Sequence, residues 1–289
     1  MSAQLVLNGI AMGCIYALVA LGFVILYNAT AIINFAQGEV VAVGAYLSLY
    51  MLSAFGTSLL SSLAIALAVM AVLAALLFLL AYFPLRERSV LVGVVGTIGI
   101  GIALKNLLHL LAGPLPHSLP ALFGNGTVQL GSIEMPLQSL SIIATASVMF
   151  LLFFLYTHFT RAGIRMRAAA QDREMALMVG IRVNRTMCMT FVVSALIATV
   201  AGFLAAPVVF ISPDMGLPLM LKGFIAIVIG GFGSIPGAIV GGMLVGVLDT
   251  LVAGLISSSY RDVFTFLALI LMLVLRPTGI FGERMGSRV

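Results

Sequence analysis

Glu39 is the only charged side chain in the first 85 positions, and it stands beside Gln37 and Asn34 at the start of an apolar run. A carboxylate in that setting needs a partner or a wet surface if buried near mid-bilayer, and can titrate there, or else it is an interfacial helix-start acid favoured by the dipole. Asp249, inside a later apolar run, is the other candidate buried acid, either a substrate contact or the partner of Lys222 or Arg261. If both acids titrate inside a membrane, the chain is an ion- or proton-coupled secondary transporter or a channel. Catalysis finds little support. A Walker A loop needs a glycine-rich run ending in Gly-Lys-Ser/Thr, but the two lysines, Lys105 and Lys222, follow Leu104 and Leu221. His109, His117 and His158 are isolated, without an HExxH pair or paired carboxylates around them. Cys14 and Cys188 lie in apolar stretches without metal-ligand spacing and read as small core residues. No catalytic residue, metal ligand or cofactor is expected, and any ATP-derived energy has to arrive from another protein.

The elements that hold these residues are membrane helices. With 62% hydrophobic residues, 8% charged residues and a mean hydropathy of +1.25, the chain lies far outside the range of soluble domains. Lipid is the solvent for most of its exterior, and its net charge of +5 reports orientation, not nucleic-acid binding. A helix needs roughly 20 residues to cross about 30 Å of hydrocarbon. Clear spans are Gln4 to Tyr27, Leu59 to Phe83, Val90 to Gly113, Leu140 to Phe159 and Met187 to Ile211. Shorter or glycine-broken ones are Phe35 to Phe55, Leu217 to Gly231, Ala238 to Ile256 and Val263 to Leu275. The expected fold class is all-α: a polytopic membrane protein of eight or nine transmembrane or half-spanning helices. No Lys or Arg precedes Arg86, so the first apolar stretch lacks the basic start of a secretory signal and is expected to stay.

Three basic clusters flank span ends: Arg86 with Arg88, a polar island from Arg161 to Arg185, and Arg276 with Arg284 and Arg288. The positive-inside rule puts all three in the cytoplasm. The Pro- and Gly-rich loop Pro114 to Ser139, with no Lys or Arg, then belongs outside, as does the N-terminus. Two hairpin turns, near Asn28 to Glu39 and near Gly230 to Gly237, point the same way. Each leads into a glycine-bearing helix, INFAQGEVVAVGAYL in the first case and GGFGSIPGAIVGGMLVG in the second. Such related broken-helix motifs in the two halves suit either a water-lined path or ordinary small-residue packing.

The island holds six of the chain's 14 lysines and arginines. Within it, Asp172 has the signature of an N-cap, Glu174 sits in a first turn and Gly180 is a stop signal, which predicts a helix of about two turns. Met175, Met178 and Val179 fall at i, i+3 and i+4, forming a narrow apolar face beside an exposed Arg173. Isolated helices below about 12 residues are marginal in water, so docking would steady this one, and methionines suit an adaptable contact. A solvated loop that only sets topology is the plainer alternative.

Four stretches in this order resemble one family: NGIAMGCIYALVALGFVILYNATAIINFAQGE, RAAAQDREMALMVGI, GGFGSIPGAIVGG and LRPTGIFGE. The chain resembles the high-affinity branched-chain amino acid ABC-transporter permeases, in particular the shorter of the two permease subunits, over nearly its whole length. The resemblance implies one permease domain over residues 1–289 in the bacterial inner membrane, with residues 161–186 as a cytoplasmic coupling loop and 114–139 as a periplasmic loop. It implies a second permease of similar fold, two cytoplasmic ATP-binding subunits and a periplasmic amino-acid-binding protein as partners, with alternating access as the mechanism. Ala169, Ala170, Asp172, Ala176 and Gly180 match the loop by which such permeases meet the ATPase, and Arg173 and Glu174 belong to the same short helix. Asn34, Gly38 and Glu39 match the first turn, and Gly231, Gly233, Ser234 and Gly237 match the second. Gln37 departs from the pattern, since many relatives carry His there, which bears on substrate. Other neutral amino acids and amide or urea-like solutes are handled by related systems, so the substrate stays open within that range.

Overall fold

The computed structural model describes residues 2–56, 58–86, 88–124, 126–130 and 133–282. Arg284 and Arg288 of the third basic cluster lie outside the described residues. The chain runs through α1 (Ser2–Thr30), α2 (Gln37–Phe55) and α3 (Leu59–Leu77), then a π-helical turn (Phe78–Tyr82), α4 (Phe83–Leu85) and α5 (Val90–Ala112). After a long loop come α6 (Leu137–Phe159), α7 (Arg161–Gln171), α8 (Arg173–Met178) and α9 (Val183–Val209). The chain then continues through α10 (Gly216–Gly230), α11 (Ile235–Leu255) and α12 (Arg261–Leu275).

Among the described residues, eight helical stretches are long and apolar enough to cross a bilayer. The ninth, α10, has 15 residues and rises only about 22 Å, short of a full crossing. The expectation of eight or nine spanning or half-spanning helices therefore holds. The expected external loop adds one feature to the all-α plan: β1 (Thr127–Leu130) pairs antiparallel with β2 (Ile133–Pro136). Strands this short, inside a Pro- and Gly-rich loop, leave no length over which alternation could be read.

By its packing the chain divides into two units. The first comprises the chain up to Val24, Pro120–Ala146 and the chain from Leu221 onward; the second comprises Ile25–Leu119 and Ser147–Met220. Each is built on one close helix pair. Hydrocarbon supplies no hydrophobic drive between helices, so small residues that let backbones approach decide which ones meet. In the first unit a side chain at Gly9 or Gly13 of α1 would sit 2.7 Å from the Cα of Val247 or Met243 on α11. In the second unit, Gly44 of α2 lies against Thr199 of α9, and Gly202 of α9 against the Val41 carbonyl of α2. At the periphery, α12 leaves Val263, Leu267, Ile270 and Val274 exposed, as a helix does when lipid is its solvent.

Two glycines of the second unit should therefore respond with opposite sign. Gly202→Ala drives a methyl into backbone, so overpacking of about 1–3 kcal/mol is expected. Gly99→Ala meets nothing within 4 Å, so it should gain up to about 1 kcal/mol of helix propensity. Thermal midpoints of the two purified variants check this; equal shifts would refute the packing account.

Candidate functional site

The polar island folds into two helices. In α7, a helix the sequence reading did not anticipate, Thr160 caps the start by accepting from the Gly163 N–H at 3.0 Å. The signal for it is Thr160 followed by an alanine-bearing run, Arg161 to Gln171, free of Pro and β-branched side chains other than Ile164. The shorter α8 follows the predicted limits. Asp172 Oδ1 accepts from the N–H groups of Glu174 at 2.9 Å and Met175 at 3.0 Å. At the other end Gly180, at φ +81°, closes the helix in a Schellman arrangement, its N–H donating to Leu177 O and that of Ile181 to Ala176 O. Six residues that would not hold a helix alone are thus tied down at both ends.

The two faces of α8 differ sharply. Ala176, 3% exposed, packs in a cluster with Ile32, Phe78, Tyr82, Val183 and Met187, with Ala169 and Ile181 at its edge. The rings of Phe78 and Tyr82 stack, and Phe191 packs tilted against both, its centroid 4.7 Å from that of Tyr82. The opposite face carries Met175, Met178 and Val179, respectively 61, 82 and 76% exposed. Arg173 and Glu174 are exposed beside them, and Ala170 is half-buried. One short helix thus combines an apolar outer face with an apolar anchor that packs against the chain just after α1, the π-helical turn and α9.

The first turn lies in the same unit. Ala31 ends α1 at φ +55°, and the chain reaches α2 through Asn34, whose side-chain oxygen accepts from the Ala36 N–H at 3.1 Å. Gln37 is 1% exposed; its Oε1 accepts from Ser194 at 3.3 Å, while its Nε2 finds no partner among the described residues. With Asn34 and Thr97 it lines a cavity of about 40 Å³, whose remaining wall is mostly apolar, enough for one or two waters. Gly38 packs on the Gly216 carbonyl, where no side chain fits.

Glu39 stands in the first turn of α2, where the helix-start reading puts it, and its side chain is buried, at 8% exposed. Its Oε2 has no hydrogen-bond partner among the described residues. Lys105, a basic side chain whose charge acts on it, is engaged elsewhere, in an ion pair with Asp214 at 2.6 Å. In the loop after α9, that Lys105 hydrogen bond holds the Asp214 carboxyl below the usual carboxylate range. The pair therefore stands at neutral pH and opens as pH falls through the lowered value.

The second turn belongs to the other unit, so the two motifs do not come together within one packed body. Ser234 caps α11, accepting from the Gly237 N–H at 3.1 Å. Gly237 faces the backbone of Gly230, and Gly231, at φ +114°, faces that of Gly282. The chain after α12 pairs with this turn, Ile280 N–H donating to Ile229 O at 2.9 Å and Phe281 N–H to Gly230 O at 2.8 Å. Here glycine serves close backbone packing, and Gly233 completes the turn at φ +83°.

Asp249 is fully engaged. Lys222 approaches its Oδ1 at 2.6 Å, Thr265 donates to the same oxygen at 2.9 Å, and Tyr16 donates to Oδ2 at 3.0 Å. Lys222 also reaches Asp262 at 2.9 Å, and Arg261 stands 3.8 Å from Asp249. Of the two partners the sequence offers, Lys222 is the close one. This buried knot joins α1, α10, α11 and α12, all within the first unit.

Residues 5–274 match the family of branched-chain amino acid transport system permease components. The chain belongs to that family. Among relatives of this permease is the high-affinity branched-chain amino acid transport system permease protein LivH of Salmonella typhimurium. It is 36% identical over 97% of this chain and 95% of its own length. The corresponding protein BraD of Pseudomonas aeruginosa is 35% identical over the same shares. A probable branched-chain amino acid transport permease, LivH of Methanocaldococcus jannaschii, is 29% identical over 92% of this chain and 88% of its own. The permease is a multi-pass membrane protein, and the relatives it matches are transport permease subunits.

Proposed function

We propose that this permease is the membrane-spanning subunit of an ATP-driven ABC importer for branched-chain or other neutral amino acids. A periplasmic binding protein delivers substrate, a second permease of similar fold completes the membrane part, and two cytoplasmic ATP-binding subunits supply the energy. The N-terminus and residues 114–139 lie outside, and residues 161–186 lie in the cytoplasm of a bacterial cell.

The observation that carries this reading is α8, fixed at both ends, anchored through Ala176 and open along Met175, Met178 and Val179. An outer protein pressing on that face moves the helix as one piece, because its ends are tied by its own hydrogen bonds. The displacement enters the membrane helices at Ile32, Phe78, Tyr82, Val183 and Met187. Closure of the ATP-binding subunits thereby alternates the access of the path, and direction comes from their different affinities for the two states. Ala169, Ala170, Asp172, Arg173, Glu174, Ala176 and Gly180 form the coupling element. On the path itself we place Asn34, Gln37, Gly38 and Glu39, supported by Gln37, which lines a cavity and whose amide nitrogen has no partner among the described residues. Gly231, Gly233, Ser234 and Gly237 are the corresponding turn of the other half, with less to support them.

Reconstitution with the partner subunits tests the reading. Uptake of leucine, isoleucine or valine should require both ATP and the binding protein, and Met178→Glu should lower transport-linked ATP hydrolysis at least severalfold while assembly persists. Uptake that continues without ATP, driven by a proton or sodium gradient, would sink it in favour of the ion-coupled alternative, for which the unpartnered Glu39 oxygen is the supporting group. Preferential uptake of amide or urea-like solutes would keep the importer and change its cargo.

A further inference from the structure

Between α7, the turn that closes α8 and the start of α9 lies an open groove of about 410 Å³. Arg165, Arg182 and Arg185 line it with Thr186, and Ile181 and Met189 contribute apolar wall. Among the described residues none of the three arginines has an ion-pair partner. The island carries six arginines against two acids, Asp172 and Glu174, and Asp172 is occupied as the cap of α8. Three guanidinium groups therefore share a concave site to which the described residues supply no counter-charge.

We propose that this groove binds the phosphate headgroup of an anionic phospholipid. The planar fork of a guanidinium matches phosphate oxygens two at a time, and three of them around one concavity exceed what topology alone asks of scattered surface charge. The apolar wall selects an amphiphile over a free anion. Met189 follows Arg185 by four residues on α9, so it lies on the same face one turn further along the candidate span Val183–Val209, and it is 45% exposed. The groove thus has a cationic mouth at a span end and an apolar side running along that span, which is the polarity of a headgroup joined to acyl chains. Val179 and Gly180 form its other edge, so a bound lipid touches the turn that ends α8. The inference rests on the membrane placement of the chain and not on the ATPase reading.

The test uses the full-length permease assembled with its partner subunits in mild detergent, with phosphatidylglycerol or phosphatidylcholine added and retained lipid counted by native mass spectrometry. Wild type should retain phosphatidylglycerol in preference, and Arg165→Gln/Arg182→Gln/Arg185→Gln should weaken that retention at least tenfold, with phosphatidylcholine unchanged. The corresponding triple Lys variant keeps charge without the fork and should fall between. Should the triple Gln variant fail to insert, the single variants Arg182→Gln and Arg185→Gln carry the same comparison, each with a severalfold loss expected. Equal retention by wild type and these variants would overturn the proposal. Displacement of phosphatidylglycerol by millimolar inorganic phosphate would also overturn it, marking a free-anion site. So would loss of the ATP-binding subunits with lipid retention unchanged, which would assign the groove to a protein carboxylate.

Discussion

Lys222→Met should destabilise the permease by about 3–5 kcal/mol, the usual cost of leaving a buried charge without its partner. Asp249 is 2% exposed and holds its closest charge contact, 2.6 Å, with Lys222. Tyr16 and Thr265 would still donate to it, but the remaining cation, Arg261, stands 3.8 Å away on a half-exposed side chain. Removing both charges together, as Lys222→Met/Asp249→Leu, should recover most of the loss, because two well-packed apolar groups often replace a buried pair at little net cost. Thermal unfolding of the purified variants measures both terms, and a double variant as unstable as the single one would show that packing, not charge, dominates at this site.

Gly180→Pro should abolish coupling while sparing insertion. Gly180 sits at φ +81°, whereas proline holds φ near −65° and has no N–H to donate. The substitution removes the bond to Leu177 O and forces the turn that positions Ile181 against Ala176 to open. With its C-terminal tie gone, a helix of six residues has little left to keep it formed. Substrate-stimulated ATP hydrolysis by the assembled transporter should drop at least tenfold. Membrane insertion should remain normal, because the arginines that set orientation are untouched. Undiminished stimulated hydrolysis from a correctly assembled Gly180→Pro transporter would strip α8 of its coupling role.

Much of this architecture was legible because membrane helices announce themselves by length and apolarity, and α8 because its cap, first-turn acid and terminal glycine each have a local cause. Other features depended on information that no window of sequence holds. The helix α7 was hidden by its arginines, which read as topology before they read as helix formers. Nothing near Glu39 in sequence reveals Gly216, whose lack of a side chain makes room for the carboxylate. The two glycine turns looked equivalent in sequence. Their contacts separate them: one faces a cavity through Gln37, and the other is covered by the backbone of Ile280 and Phe281. For Asp249 the sequence left Lys222 or Arg261 open as the partner, and both stand near it, but Tyr16, 233 positions away, was out of reach of any local reading.

The outer face of α8 offers a partner two thioethers and an isopropyl group, with Arg173 at the margin. Soft, rotatable side chains conform to whatever hollow receives them, and they impose no fixed pattern of donors and acceptors. A motor subunit could then drift in sequence, or be exchanged for that of a sister transporter, and still drive this permease. Cross-species hybrids of the permease with foreign ATP-binding subunits should accordingly remain active more often than hybrids made at a charge-keyed joint.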